Sequence, residues 1–181
     1  MNAHIALLRG INVGGKHVLP MKALVALLEE LGCTGVRTYI QSGNAVFRHR
    51  AAAPALAKKI RAAVGREFGF EPEVLLLTRA QLERAARGNP FRKGEPDPRK
   101  LHVVFLASAP KRPDLASLEE LKAPDERFEL AGSVFYLHAP SGIARSKLAA
   151  RIDKALGVPT TARNARTVER LLELASSVDP G

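Results

Sequence analysis

The stretch VRTYIQSGNAVF, residues 36–47, decides the fold of this chain. Val36, Thr38 and Ile40 alternate with Arg37 and Tyr39, which is the two-residue period of a β-strand with two different faces. A short Ser-Gly-Asn segment interrupts the alternation, and the apolar run AVF follows it. Two strand-like runs joined by a short turn predict a β-hairpin, so these two neighbouring strands are antiparallel.

The segments on either side of this hairpin complete a recognisable order of elements. On the N-terminal side, HIALL (4–8) predicts a buried strand and PMKALVALLEELG (20–32) predicts a helix. On the C-terminal side, PALAKKIRAAVGREF (54–68) predicts a second helix and EVLLL (73–77) a fourth strand. The resulting order βαββαβ is that of a ferredoxin-like (split βαβ) unit, which we assign to residues 1–78.

The second half of the chain repeats this order with a modification. Residues 79–100 predict a short helix followed by a connector rich in proline and charge. From residue 101 onward the apolar patterns predict a strand, a helix, a hairpin turning at Ala131–Gly132 and two more helices. These five segments are LHVVFLA (101–107), RPDLASLEELK (112–122), ERFELAGSVFYLH (126–138), IARSKLAARIDKALG (143–157) and NARTVERLLELASS (164–177). The order βαββα plus a helix, in place of a final strand, predicts an α+β fold of duplicated ferredoxin-like units. The second unit (101–181) is then the modified copy, with an extra C-terminal helix.

Charge is the most informative bulk property. The 181 residues carry a net charge of +10, with a pI near 10.3, which favours anionic partners. Residues 143–170 contain seven basic residues against two acidic ones, so the excess is clustered.

Other bulk features exclude several classes of protein. The single cysteine, Cys33, excludes an internal disulfide framework. No apolar run approaches the about 20 residues of a membrane span, and no N-terminal segment resembles a signal peptide. We therefore expect a cytoplasmic protein that makes no use of a membrane.

Gly10, Gly15 and Lys16 stand at the G-x-x-x-x-G-K spacing of a phosphate-binding P-loop. The position that a serine or threonine holds in such a loop is His17, which is not the usual magnesium ligand. The following helix is predicted to begin only near Pro20, and the next two strands form an antiparallel hairpin. The sequence therefore excludes a working P-loop.

The same loop is still a candidate site. Gly14 and Gly15 can adopt positive φ and expose successive amides to an anion, beside Arg9, Asn12 and Lys16. The alternative is a tight turn that requires glycine only for its geometry. We also expect this loop to approach the QSGN turn, which would bring Arg9 and Asn12 close to Gln41 and Asn44.

A series of motifs resembles an uncharacterised bacterial family, domain of unknown function 1697. The motifs are ALLRGINVGG (6–15), TYIQSGNAVF (38–47), NPF (89–91), YLH (136–138), SKL (146–148) and TARN (161–164). The resemblance implies an α+β fold with ferredoxin-like character and implies no activity. Ala165 and Arg166 depart from the family pattern, in which an aromatic residue and an amide often follow Asn164.

Catalytic patterns are sparse. The five histidines show no metal-ligand spacing, and His102 and His138 lie on predicted strands, where a structural role is expected. The sequence indicates no metal and no cofactor, and it leaves open whether the protein is an enzyme.

Hydrogen-bond donors, by contrast, are abundant in the loops, where binding groups collect on rigid scaffolds. The candidate ligand-binding residues are Arg9, Asn12, Gly14, Gly15, Lys16, Gln41, Ser42, Asn44, Ser146, Lys147, Arg163 and Asn164. A donor-rich site with few carboxylates predicts binding of a small phosphate- or nucleotide-like anion, centred on ARSKL and TARN with Lys147 and Arg163 strongest. The alternative for Gln41, Ser42 and Asn44 is that they only build the hairpin turn.

The rival function is a basic nucleic-acid-binding module. The positive charge supports it, and ferredoxin-like sheets bind RNA through stacked aromatic side chains. Only 5% of the residues are aromatic, tryptophan is absent and no RNA-binding strand signature occurs. The sequence does not indicate an oligomeric state.

Overall fold

The computed structural model of the chain describes residues 1–178. Its contacts divide it into two units, the first being Met1–Glu83 with the chain from Glu169 onward and the second Arg84–Val168. The elements are β1 (Asn2–Arg9), α1 (Met21–Glu30), β2 (Thr34–Tyr39), β3 (Asn44–His49), α2 (Ala53–Phe68), β4 (Glu73–Thr78), α3 (Arg79–Arg87), β5 (Leu101–Leu106), α4 (Leu115–Leu121), β6 (Arg127–Ala131), β7 (Val134–His138), α5 (Ile152–Leu156), β8 (Thr160–Asn164) and α6 (Ala165–Val178).

The first unit contains an antiparallel sheet with the strand order β2-β3-β1-β4. The predicted hairpin is β2–β3, and β1 lies between β3 and β4. In the register of the sheet Leu7 is opposite Asn44, so the end of β1 lies beside the turn of the hairpin. The predicted βαββαβ order of this unit is confirmed.

Helices α1 and α2 bury one face of this sheet. Leu56, Ile60 and Val64, the apolar stripe of α2, are fully buried in the same core as Leu8 and Phe47. Pro54 lies in the first turn of α2, where its missing N–H costs no hydrogen bond, and a left-handed Gly69 ends the helix. The core therefore holds the sheet rigid behind its loops.

The second unit contains an antiparallel sheet of the equivalent order, β6-β7-β5-β8. This confirms the duplicated α+β fold and corrects one element of the prediction. A final strand is present, because residues 160–164 form β8 and pair with β5, with Leu106 opposite Thr160. The threonines favour a strand but are not apolar, so the hydrophobic pattern gave no signal for it.

The predicted helix over residues 143–157 is also wrong. The segment instead contains two 3-10 turns, Ile143–Arg145 and Ala149–Arg151, and then the five-residue helix α5. Ser146 interrupts the helix because its backbone is extended, with φ −69° and ψ 115°. Its hydroxyl oxygen accepts the N–H of Ala149 at 2.9 Å and starts a new turn there.

The predicted C-terminal helix is present as α6. The side-chain oxygen of Asn164 accepts the N–H of Thr167 at 2.9 Å, so Asn164 is its N-cap. The hairpin turn of the second sheet lies one residue later than predicted, at Gly132–Ser133. Within residues 1–178, none of the helices combines the length and the apolar character needed to cross a bilayer.

Candidate functional site

The glycine-rich loop after β1 is a small, tight hairpin. Lys16 donates its N–H to the carbonyl of Val13 at 3.0 Å, and the two residues form a β-bridge. Gly14 and Gly15 lie between them with φ of +57° and +73°, as a two-residue type I′ turn requires. Helix α1 begins only at Met21, several residues after Gly15 and Lys16, as the sequence predicted.

The Asn12 side chain connects this hairpin to the turn between β2 and β3. Its amide nitrogen donates to the carbonyl of Leu19 at 2.9 Å and to the carbonyl of Gln41 at 2.8 Å. Its amide oxygen accepts the N–H of Leu19 at 2.8 Å. The two predicted loops therefore meet. Since both amide protons of Asn12 are used inside the protein, this side chain positions the loop.

The QSGN turn is held by similar internal contacts. Asn44 is buried and donates to the carbonyl of Tyr39 at 3.1 Å and to the hydroxyl of Ser42 at 2.8 Å. A Cβ on Gly43, where φ is +77°, would lie 2.8 Å from Cβ of Leu8, so glycine is required there. Asn44 and Gly43 thus build the turn against β1.

We call residues 9–18 and 40–43 the glycine-loop surface. Within residues 1–178, the non-glycine residues with positive φ are Asn12, His17 and Ile40, and all three lie on this surface. Exposed branched side chains also collect here, with Val13, Val18 and Ile40 exposed to 67%, 58% and 52%. Strained backbone of this kind is characteristic of functional sites.

A cleft of about 560 Å³ lies in the second unit, within the size range of small-molecule sites. Two segments form it, residues 120–126 before β6 and residues 141–147 after β7. The lining residues are Glu120, Leu121, Lys122, Ala123, Asp125, Glu126, Ser141, Gly142, Arg145, Ser146 and Lys147. We call it the second-unit cleft. Ser146 and Lys147 were predicted as binding residues, and both line it.

The segment 141–147 supplies the positive charge of the cleft. Arg145 and Lys147 are exposed, and neither has a carboxylate within 4.0 Å among residues 1–178. Ser146 is buried, and its hydroxyl accepts from the backbone N–H of Ala149. Because no described residue accepts the hydroxyl proton of Ser146, that proton is available to a ligand.

The segment 120–126 supplies the opposite charge. Glu126 is only 5% exposed, and one of its carboxylate oxygens, Oε2, accepts the N–H of Ala123 at 2.9 Å. Asp125 accepts the hydroxyl of Ser141 at 2.7 Å, a bond that ties the two segments together. Lys122 also lines the cleft, and its ammonium group pairs with Glu119, which does not line it. The cleft therefore has one acidic and one basic side.

Arg163 and Asn164 do not line the second-unit cleft. Both belong to β8, where Arg163 lies opposite Val103 in the sheet and donates to the carbonyl of Ala162 at 2.8 Å. Burial lowers the pKa of Arg163 to about 10. The structure thus separates Arg163 from Lys147, which the sequence analysis had placed at one centre.

A second polar cluster, not predicted from the sequence, surrounds His138, a buried residue of β7 for which a structural role was expected. His138 contacts the Glu95 carboxylate at 2.9 Å through Nε2, and Arg127 donates to its Nδ1 at 3.1 Å. A guanidinium only donates, so Nδ1 accepts and Nε2 carries the proton that it gives to Glu95. That bond is the main cause of the lowered pKa of Glu95.

Phe91 completes this cluster. The Arg127 guanidinium lies 5.0 Å from the centre of the Phe91 ring, and this ring stacks near His138 at 6.1 Å. The sequence contained one indication of this cluster. Phe91 and His138 belong to NPF and YLH, two motifs of the family resemblance. No group of three or more metal-ligating side chains occurs in the described part of the chain.

Two antiparallel sheets with equivalent strand order define the chain as a duplicated α+β protein. It belongs to the family described as protein of unknown function (DUF1697), whose model matches residues 1–136. The matched segment ends at Tyr136, so SKL and TARN lie beyond it.

The chain is also similar to a solved structure, that of the conserved bacterial protein SP0830 from Streptococcus pneumoniae. The two share 24% sequence identity with a TM-score of 0.70, over 96% of this chain and 98% of that one. This likeness supports the fold. None of the curated proteins matches the chain.

Proposed function

We propose that the protein binds a small anionic, phosphate-like ligand in the second-unit cleft. The observation that carries the proposal is the pair Arg145 and Lys147, two cations without a carboxylate partner at the edge of a cavity of ligand size. Ser146 adds a hydroxyl donor inside the cleft. Arginine offers a planar fork of N–H donors and lysine a mobile point charge, and both form strong hydrogen bonds with phosphate or carboxylate oxygens.

The glycine-loop surface is a second place where this proposal puts anion contacts. Gly14 and Gly15 are exposed at the tip of the hairpin, beside the exposed Lys16, and Arg9 lies at the end of β1. No acidic residue occurs between residues 9 and 20 or between residues 40 and 43. Asn12, Gln41, Ser42 and Asn44 then shape the surface, and the backbone amides of the two glycines and the side-chain ammonium of Lys16 make the contacts.

The test is ligand-induced stabilisation of the full chain by inorganic phosphate. A ligand at ten times its Kd stabilises the folded protein by about 1.4 kcal/mol, which raises the midpoint of thermal unfolding by about 3–6 °C. The double variant R145A/K147A should lose this rise. K111A/R112A is the matched control, because it removes the same charges from exposed residues of the same unit outside the cleft.

The outcome assigns the site. If R145A/K147A keeps the full response and K16A loses it, the ligand binds at the glycine-loop surface instead. If phosphate at millimolar concentration stabilises none of these proteins, including the wild type, the proposed function is wrong.

The net charge of +10 supports nucleic-acid binding as a second candidate function. A single-stranded oligonucleotide would then bind with an affinity that falls steeply between 50 and 200 mM salt, because each neutralised phosphate releases counterions. Fluorescence anisotropy of a labelled oligonucleotide measures this directly. Absence of binding at 50 mM salt contradicts this candidate and leaves the small-ligand proposal in place.

A further inference from the structure

The acidic side of the second-unit cleft has a feature that binding of a simple anion does not use. Glu126 is 5% exposed and lines the cavity, yet only one of its two oxygens has a partner within the described residues. Neither Arg145 nor Lys147 reaches it within 4.0 Å. A carboxylate oxygen that lines a cleft and has no donor from the protein can accept a charge-assisted hydrogen bond from a cationic ligand group.

We propose that the ligand of this cleft is zwitterionic, with an ammonium group facing Glu126 and an anionic group facing Arg145 and Lys147. This inference rests on the proposed anion binding and extends it. The ammonium group would donate to Oε1 of Glu126, which accepts no hydrogen bond from a described residue. Asp125 adds negative charge on the same side.

The arrangement of the walls fits such a ligand. The hydrogen bond of 2.7 Å between Asp125 and Ser141 joins the acidic and basic segments, which fixes the two charged sides relative to each other. Leu121 and Ala123 lie on the acidic segment and offer apolar contact to an aliphatic spacer. The ligand class is therefore an aminoalkyl phosphate or an amino acid derivative with separated charges.

The experiment compares two matched probes, O-phosphoethanolamine and ethyl phosphate, by calorimetric titration of the full chain. Both carry a phosphate on a two-carbon spacer, and only the first carries an ammonium group. A charge-assisted hydrogen bond to a carboxylate predicts about tenfold or tighter binding of O-phosphoethanolamine. E126Q should remove this advantage while binding of ethyl phosphate persists.

Control variants keep the test decisive. E129Q makes the same chemical change on an exposed residue outside the cleft and should keep the advantage. If E126Q does not fold, D125N at the exposed neighbouring carboxylate should reduce the advantage instead.

The two proposals fail in different ways. Equal affinity for both probes overturns the zwitterion inference and leaves anion binding intact. An advantage that survives in both E126Q and D125N overturns the placement of the ammonium group. Failure of both probes to bind overturns the anion site itself.

Discussion

The two units share their strand order but differ in the connection between the third and fourth strands. In the first unit this connection is α2, a helix of 16 residues whose apolar stripe lies fully in the core. In the second unit it is a broken path of two 3-10 turns and the five-residue α5. The comparison shows that the same strand pairing accommodates two different connections, and that the broken one places residues 141–147 along the second-unit cleft.

The duplication also holds at the level of single residues. His4 lies opposite Thr78 in the first sheet, and His102 lies opposite Asn164 in the second. Both histidines are buried, and burial is the first cause of the lowered pKa of each. The element order alone had indicated the repeat, since the two halves show no convincing sequence similarity.

Thr78 and Asn164 share a second property. Each is the last residue of its strand, and each side chain accepts the N–H three residues later, from Gln81 at 3.2 Å and from Thr167 at 2.9 Å. A helix follows directly in both cases, α3 after β4 and α6 after β8. The helix that follows β8 thus has a counterpart in the helix that follows β4.

The largest expected change in the free energy of unfolding comes from substitutions in the core beneath the broken connection. Leu148 is fully buried although it lies between two 3-10 turns, and Leu56 is its fully buried counterpart in α2. Leu148→Ala and Leu56→Ala should each lower the free energy of unfolding by about 2–5 kcal/mol, because each leaves a cavity. Urea unfolding monitored by circular dichroism measures both values.

Lys147→Ala is the control for this pair. Lys147 is exposed and adjacent to Leu148, so its replacement should change stability by no more than about 0.5 kcal/mol. A cost below about 1 kcal/mol for Leu148→Ala would show that the broken connection is not packed like α2, and the comparison would fail.

The next-largest expected change in stability comes from replacing the two equivalent histidines, His4 and His102. Both ring nitrogens of His4 are buried without a hydrogen bond among residues 1–178, whereas His102 has only Nε2 in that state. Replacing His4 by Leu should therefore stabilise the protein by about 1–3 kcal/mol at neutral pH, since an unsatisfied buried polar group is removed. His102→Leu should gain less.

The gain should depend on pH in a defined direction. The pKa of His4 in the folded state lies below its ordinary value of 6.5, so the unfolded chain binds more protons as the pH falls through that range. The wild type then loses stability between pH 7.5 and pH 5.5, and His4→Leu loses less. Chemical denaturation at these two pH values checks this, and a gain that does not grow on acidification contradicts the buried, neutral histidine.

The sequence was sufficient where local patterns and chain order agree. Alternation at Val36–Ile40 and the glycine turn fixed the hairpin, and the hairpin excluded a P-loop. Residues 160–164 were missed because β8 is specified by its partner β5 and contains no large apolar side chain. The helix predicted over residues 143–157 failed because the spacing of Leu148, Ile152 and Leu156 is helical, while the break is made by one hydroxyl, that of Ser146.

The candidate site was only half predictable for a similar reason. Ser146 and Lys147, which line the cleft, were predicted as binding residues because donors collect in one stretch of sequence. Glu126 was not, because it faces them from a segment about twenty residues away, and no local pattern reports which loops meet. The partners of His138, Glu95 and Arg127, were equally unpredictable, since they are distant from it in the chain.

The smallest expected change in stability concerns two exposed glycines, one in each unit, whose backbones differ in φ. Gly14 in the first unit has φ +57°, Gly94 in the second has no positive φ, and a Cβ at either would meet nothing within 4 Å. Gly14→Ala should therefore cost about 1 kcal/mol through backbone strain alone, since other residues adopt left-handed φ at that cost.

Gly14→Asn and Gly94→Ala are the matched comparisons. Asparagine tolerates the left-handed region, so Gly14→Asn should cost a few tenths of a kcal/mol, and Gly94→Ala should stay within about 0.5 kcal/mol of the wild type. Thermal unfolding of the three variants side by side resolves the order. If Gly14→Ala is as stable as Gly94→Ala, the tip of the hairpin does not hold its positive φ in solution. The glycine-loop surface would then be without the fixed pair of exposed amides on which its anion contacts depend.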